Sequence, residues 1–221
     1  MAEPKRPAVE ALLVYFAIFL VLALIQFVLG RSLGKPAVAG ALMPALLLWG
    51  PLILLYFNRR SFRDYGIHVR GWPREIGKGL MVSGILLPLF VAGYLLFWNN
   101  TGVWHLTENL NSRLFRQITI QLLAVAIPEE VFFRGYLQTL LAKAWRGKPW
   151  PLVGEMGPAI VITAVLFALM HVAGHPAVQR LGVFFPGLLF GVLRVQSGSL
   201  VAPITVHLLA NLTVYMLEGH V

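Results

Sequence analysis

Seven stretches of this 221-residue chain are apolar and long enough to cross a lipid bilayer, near residues 10 to 30, 37 to 57, 78 to 98, 116 to 142, 157 to 174, 180 to 195 and 199 to 217. A membrane helix needs about 20 such residues, within a wide range. Inside lipid no water satisfies a backbone N–H or C=O, so a spanning segment must close its hydrogen bonds internally. Runs of this length predict an all-α fold, a polytopic membrane bundle of about seven transmembrane helices. Composition agrees, with 58% hydrophobic and only 12% charged residues, far from the soluble average.

The N-terminus, MAEPKRPAVEALLVYFAIFL, has a basic start and a long apolar run without a small-residue cleavage pattern after it. It reads as a retained first span. No internal repeat appears, and Asn58 to Lys78 is too short for a domain of its own. Residues 1–221 therefore read as a single integral-membrane domain. The fifth and sixth runs are parted only by the polar patch around His175 and Arg180, so a bent or re-entrant pair is the alternative to two crossings.

The net charge of +9 comes from residues in or beside the polar connections, Arg134 excepted. It speaks for anchoring at a membrane surface and not for nucleic acid. With seven spans, one side collects Lys5, Arg6, the six basic residues from Arg59 to Lys78, Lys143, Arg146, Lys148 and Arg194. The other holds Arg31, Lys35, Arg113, Arg116 and Arg180. The positive-inside rule then predicts a cytoplasmic N-terminus and an external C-terminus in a cell membrane.

The absence of cysteine removes disulfides, thiolate metal sites and cysteine nucleophiles, and Asp64 as the only aspartate excludes an aspartyl dyad. Three charges nevertheless sit in the fourth run: Glu129, Glu130 and Arg134 in AVAIPEEVFFRGYLQ. An ionisable group at mid-membrane costs roughly 2.5–3.5 kcal/mol, so this placement points to a functional site. Residues four apart share a helix face, which pairs Glu130 with Arg134 and turns Glu129 elsewhere. Pro128, just before them, is expected to kink the span and free the carbonyl of Ala124. A structural salt bridge would account for Glu130 with Arg134 but leave Glu129 unpaired.

The fifth run places Phe167 and His171 four apart, and the seventh does the same for His207 and Asn211. Alone, such residues tie helices together. Together, a carboxylate and two imidazoles form either a water-activating set or a His2Glu metal set of Glu129, His171 and His207. Gly187 and Gly191, also four apart, read as close helix packing. His68, His105, His175 and His220 are left out of the site.

These residues resemble the CPBP family of intramembrane endopeptidases, which includes the CAAX prenyl proteases and bacteriocin-processing or immunity-associated relatives. The likeness rests on EExxxR at Glu129, Glu130 and Arg134, FxxxH at Phe167 and His171, and HxxxN at His207 and Asn211, in that order. It covers about 129 to 211, within a catalytic half of about 116–217. It implies that Glu129 with His171 activates water, that His207 and Asn211 stabilise an oxyanion, and that Glu130 and Arg134, with Phe167, support the site. It also implies a metal-independent mechanism with no cofactor; zinc on Glu129, His171 and His207 is the alternative. The partner implied is a membrane-anchored protein or peptide, cut near its C-terminus or in a membrane-proximal segment. The depth of His171, about 13 residues or roughly 20 Å from the inner end of its span, favours an exported or anchored bacterial substrate and removal of a C-terminal sorting signal. A non-catalytic immunity or binding protein and a proton-coupled transporter are the competing readings. The family's prenyl proteases resemble an eight-helix arrangement, where this sequence offers seven.

Overall fold

The computed structural model describes residues 6–34, 36–97, 110–145, 148–174 and 177–218. Three long helices come first: α1 (Arg6–Ile25), prolonged by a π-helical stretch Gln26–Ser32, then α2 (Pro36–Phe57) and α3 (Trp72–Phe97). A fourth rod runs without a break from 110 to 144. It consists of α4 (Leu110–Ile120), a π stretch Gln121–Ala126, α5 (Ile127–Glu130), a second π stretch Val131–Leu137 and α6 (Gln138–Ala144). Next come α7 (Gly157–Gly174), a 3₁₀ turn Val178–Val183, α8 (Phe184–Ser197) and α9 (Val201–Glu218). Each of the seven apolar runs thus falls on one helical rod, and no strand occurs among the described residues.

The chain is an integral membrane protein. Pro7–Leu29, Gly40–Phe57, Trp72–Leu96 and Val178–Ser197 are long and apolar enough to cross a bilayer, whereas Gly157–Ala173 and Val201–Leu217 are apolar but shorter. The fifth and sixth runs are two helices joined by the 3₁₀ turn, neither fused nor collapsed into one. The third run starts earlier than its hydropathy suggests. Its helix begins at Trp72, and its first turns carry a Lys78–Glu75 ion pair at 2.8 Å. Polar residues continue a helix beyond the hydrocarbon once its own hydrogen bonds are formed, so the connection after Asn58 is shorter than the sequence implies. Lys5, Lys35, His105, Arg146, His175 and His220 lie outside the described residues.

The fourth rod is the centre of the bundle. Phe132, Phe133, Tyr136, Leu137, Leu140 and Leu141 are all buried, while Leu80, Met81, Ile85 and Leu89 of α3 are exposed, as a lipid-facing flank requires. At the end carrying the N-terminus, Glu10 accepts both Arg60 guanidinium nitrogens at 2.6 Å and the Tyr136 hydroxyl at 2.6 Å. The Glu10 hydrogen bonds raise the Arg60 guanidinium above its ordinary value, so the pair stays charged. Lys143 lies 4.6 Å from the Tyr65 ring centroid, and Arg194 donates to the Asp64 carbonyl at 3.3 Å. Lys143 and Arg194, from two distant parts of the sequence, therefore join Arg60 on the 58–66 connection.

Candidate active site

Glu129 and Glu130 sit on the single α-helical turn held between the two π stretches. Ahead of them the Ile127 N–H donates to the Leu122 carbonyl, five residues back. Beyond them the Gln138 N–H reaches Phe133 in the same way. Pro128, the second residue of α5, cannot donate an N–H and lies inside the unbroken rod, directly after the first π stretch. A wide π turn resets which side chains share a face on its two sides, and such turns cluster at functional sites.

Glu130 is fully buried and gathers partners. Its Oε1 accepts the His207 Nδ1–H at 2.9 Å and lies 3.4 Å from Arg134 Nη1. Arg134 is buried as well, donates from Nη2 to the Gly187 carbonyl at 3.3 Å, and has its guanidinium carbon 4.4 Å from the Phe167 ring centroid and 5.1 Å from that of Phe190. A desolvated cation against aromatic faces is strongly held. The i, i+4 pairing read from the sequence is present, and His207 joins it.

Glu129 is left facing the imidazoles. Its Oε2 lies 4.0 Å from His171 Nε2 and 3.7 Å from His207 Nε2, and it is buried without a hydrogen-bond partner among the described residues. His171 Nδ1 bonds the Phe167 carbonyl at 2.9 Å, which makes Nδ1 the donor and leaves the Nε2 lone pair towards Glu129. The Phe167 ring also packs on His171, with centroids 4.4 Å apart. Water at about 2.8 Å from both Glu129 Oε2 and His171 Nε2 fits between them, because their separation is less than twice a hydrogen-bond length.

Asn211 comes from the same face of α9 as His207, but its Nδ2 donates to Gln121 Oε1 at 2.9 Å. One amide N–H is thereby fixed and the second remains. Gln121 escaped the sequence reading, as did Phe190, whose ring stacks on His207 at 4.9 Å. The available signals were a glutamine isolated in an apolar run, two turns before Glu129, and an aromatic beside Gly191.

Glu129 and His171 open onto a cavity of about 380 Å³. Phe19, Leu22 and Gln26 of the first rod and Met43 and Leu47 of α2 form one wall, and Arg180 of the 3₁₀ turn also lines it. Among the described residues no group of three or more His, Asp or Glu side chains is disposed to hold a metal ion. No step below runs through a metal.

A carboxylate and two imidazoles are thus brought together from three helices of a membrane bundle. The type II CAAX prenyl endopeptidase Rce1-like family model matches residues 111–213, just under half of the chain, and over that stretch the chain is similar to this family. No curated protein and no solved structure matches the chain.

Proposed function

We propose that this protein is a glutamate-type endopeptidase that hydrolyses a membrane-anchored protein near its C-terminus or in a membrane-proximal segment. The observation that carries this reading is the partnerless Glu129 Oε2, faced by two imidazole nitrogens at 3.7 and 4.0 Å on the wall of a cavity. Glu130 Oε2 is also buried without a hydrogen-bond partner, but of the two glutamates only Glu129 lines the cavity, from which water can supply the missing donor.

Glu129 takes a proton from that water while His171 Nε2 orients it, and the oxygen attacks the scissile carbonyl. The developing oxyanion is met by the free Asn211 amide N–H and by His207 Nε2 in its protonated form. Glu130 holds His207 through Nδ1, and Arg134 holds Glu130. Glu129 then passes its proton to the leaving amine, which completes one hydrolysis without cofactor.

The cavity follows the later turns of the first rod, away from the end where Arg60, Lys143 and Arg194 collect. Positive residues stay in the cytoplasm, so this orientation opens the site towards the outer face of a bacterial cell membrane. An exported protein with a C-terminal sorting segment meets that geometry. The test is a mass map of membrane proteins from cells carrying wild type or Glu129→Gln. A protein that keeps its C-terminal segment only in the variant supports the reading, and identical maps contradict it. A strong chelator is expected to leave the wild-type cleavage rate unchanged.

A further inference from the structure

Arg180 is the one lysine or arginine lining the cavity, and its side chain has no partner among the described residues. The other cations at structural positions are engaged: Arg60 by Glu10, Lys78 by Glu75, and Arg134 by Glu130. A free guanidinium on a cavity wall that also carries a free carboxylate gives that cavity a direction. Anionic groups are repelled from Glu129 and drawn to Arg180. The rest of the wall is mostly apolar, with Phe19, Leu22, Met43 and Leu47 along it.

We propose that Arg180 is a specificity-determining residue that pairs with a carboxylate on the substrate, setting which peptide bond lies over Glu129. The inference rests on the protease reading above and adds the chemistry of what is selected. A planar guanidinium suits this task because it meets a carboxylate through two parallel N–H donors. Arg180 and Glu129 line the same cavity, so one bound peptide can meet both. That carboxylate is either the α-carboxylate at the chain end or an acidic side chain, and the two are separable by synthesis.

The experiment uses the protein reconstituted in vesicles and lipid-anchored peptides copied from whichever protein the Glu129→Gln comparison identifies. Each peptide is made as the free acid, as the C-terminal amide, with its acidic side chains replaced by their amides, and with both changes. In wild type, loss of the responsible carboxylate is expected to raise KM about 10- to 100-fold, the worth of one charge-assisted hydrogen-bond pair. In Arg180→Gln the ratio between peptides with and without that carboxylate falls towards one, and Arg180→Lys restores part of it. Sensitivity to the terminal amide assigns the α-carboxylate, and sensitivity to the side-chain changes assigns an acidic residue. Equal cleavage of all four peptides by wild type, or an Arg180→Gln defect that follows anionic lipid content and not the peptide, overturns the proposal while Glu129-dependent cleavage stands. Normal processing by Glu129→Gln, or no processed protein at all, removes the protease reading and this inference with it.

Discussion

Glu130 Oε1 is held by His207 beside Arg134, while Glu129 lines the cavity and turns a buried, partnerless Oε2 towards two imidazoles; Glu130 Oε2 also lacks a hydrogen-bond partner but does not line the cavity. That division was partly legible in the sequence, because i, i+4 spacing on a helix already pairs Glu130 with Arg134 and excludes Glu129. The position of His207 was not, since it depends on how α9 meets the fourth rod and not on any local pattern. Gln121 illustrates the same point. Its bond to Asn211 joins residues 90 apart in sequence, and nothing in either neighbourhood announces it. If Gln121 holds one Asn211 N–H so that the other meets the oxyanion, Gln121→Ala is expected to lower kcat by about tenfold or more, the worth of a lost buried hydrogen bond, with little change in KM. Steady-state kinetics on the reconstituted protein checks this, and a change confined to KM would assign Gln121 to substrate binding instead.

The fourth rod is one helix by hydropathy and five segments by hydrogen bonding. Apolar side chains satisfy lipid equally well in α and π turns, so composition cannot report the register shift on either side of α5. Three motifs remained readable because each lies within a few residues: the Phe167/His171 and His207/Asn211 pairs sit on α turns, and the Glu130–Arg134 pair survives the step from α5 into the second π stretch. The packing against α8 is specific. Arg134 and Gln138, one turn apart, donate to the carbonyls of Gly187 and Gly191 at 3.3 and 3.1 Å. A Cβ added at Gly191 would lie 2.7 Å from Ile160 Cγ2 and 3.0 Å from Gln138 Oε1. Gly191→Ala is therefore expected to destabilise by about 1–3 kcal/mol through overpacking, read as a lower melting temperature in detergent. Gly187→Ala, whose Cβ meets Ala164 and Phe167 at 3.3 Å, should cost less. Equal tolerance at both positions would mean that α8 is not held this closely.

Seven apolar runs became seven rods, so the scale of the whole fold was the most legible part of the sequence: the bilayer permits little besides helices of spanning length. Less legible were the start of α3 at Trp72, set by polar turns outside the hydrocarbon, and the cavity, which several helices build together. The proposed orientation rests on the basic cluster on the 58–66 connection. Tags at the N- and C-termini are expected to be protected and accessible, respectively, to a reagent that cannot cross the membrane of intact cells. The reverse result would turn the cavity towards the cytoplasm. The central claim is that Glu129 is the base. Its most direct test is single-turnover cleavage by purified wild type and Glu129→Gln, matched for membrane insertion and melting temperature. A loss of about 10²–10⁴-fold in the cleavage step is predicted, the usual contribution of a positioned general base. Cleavage by the variant at the wild-type rate would contradict it.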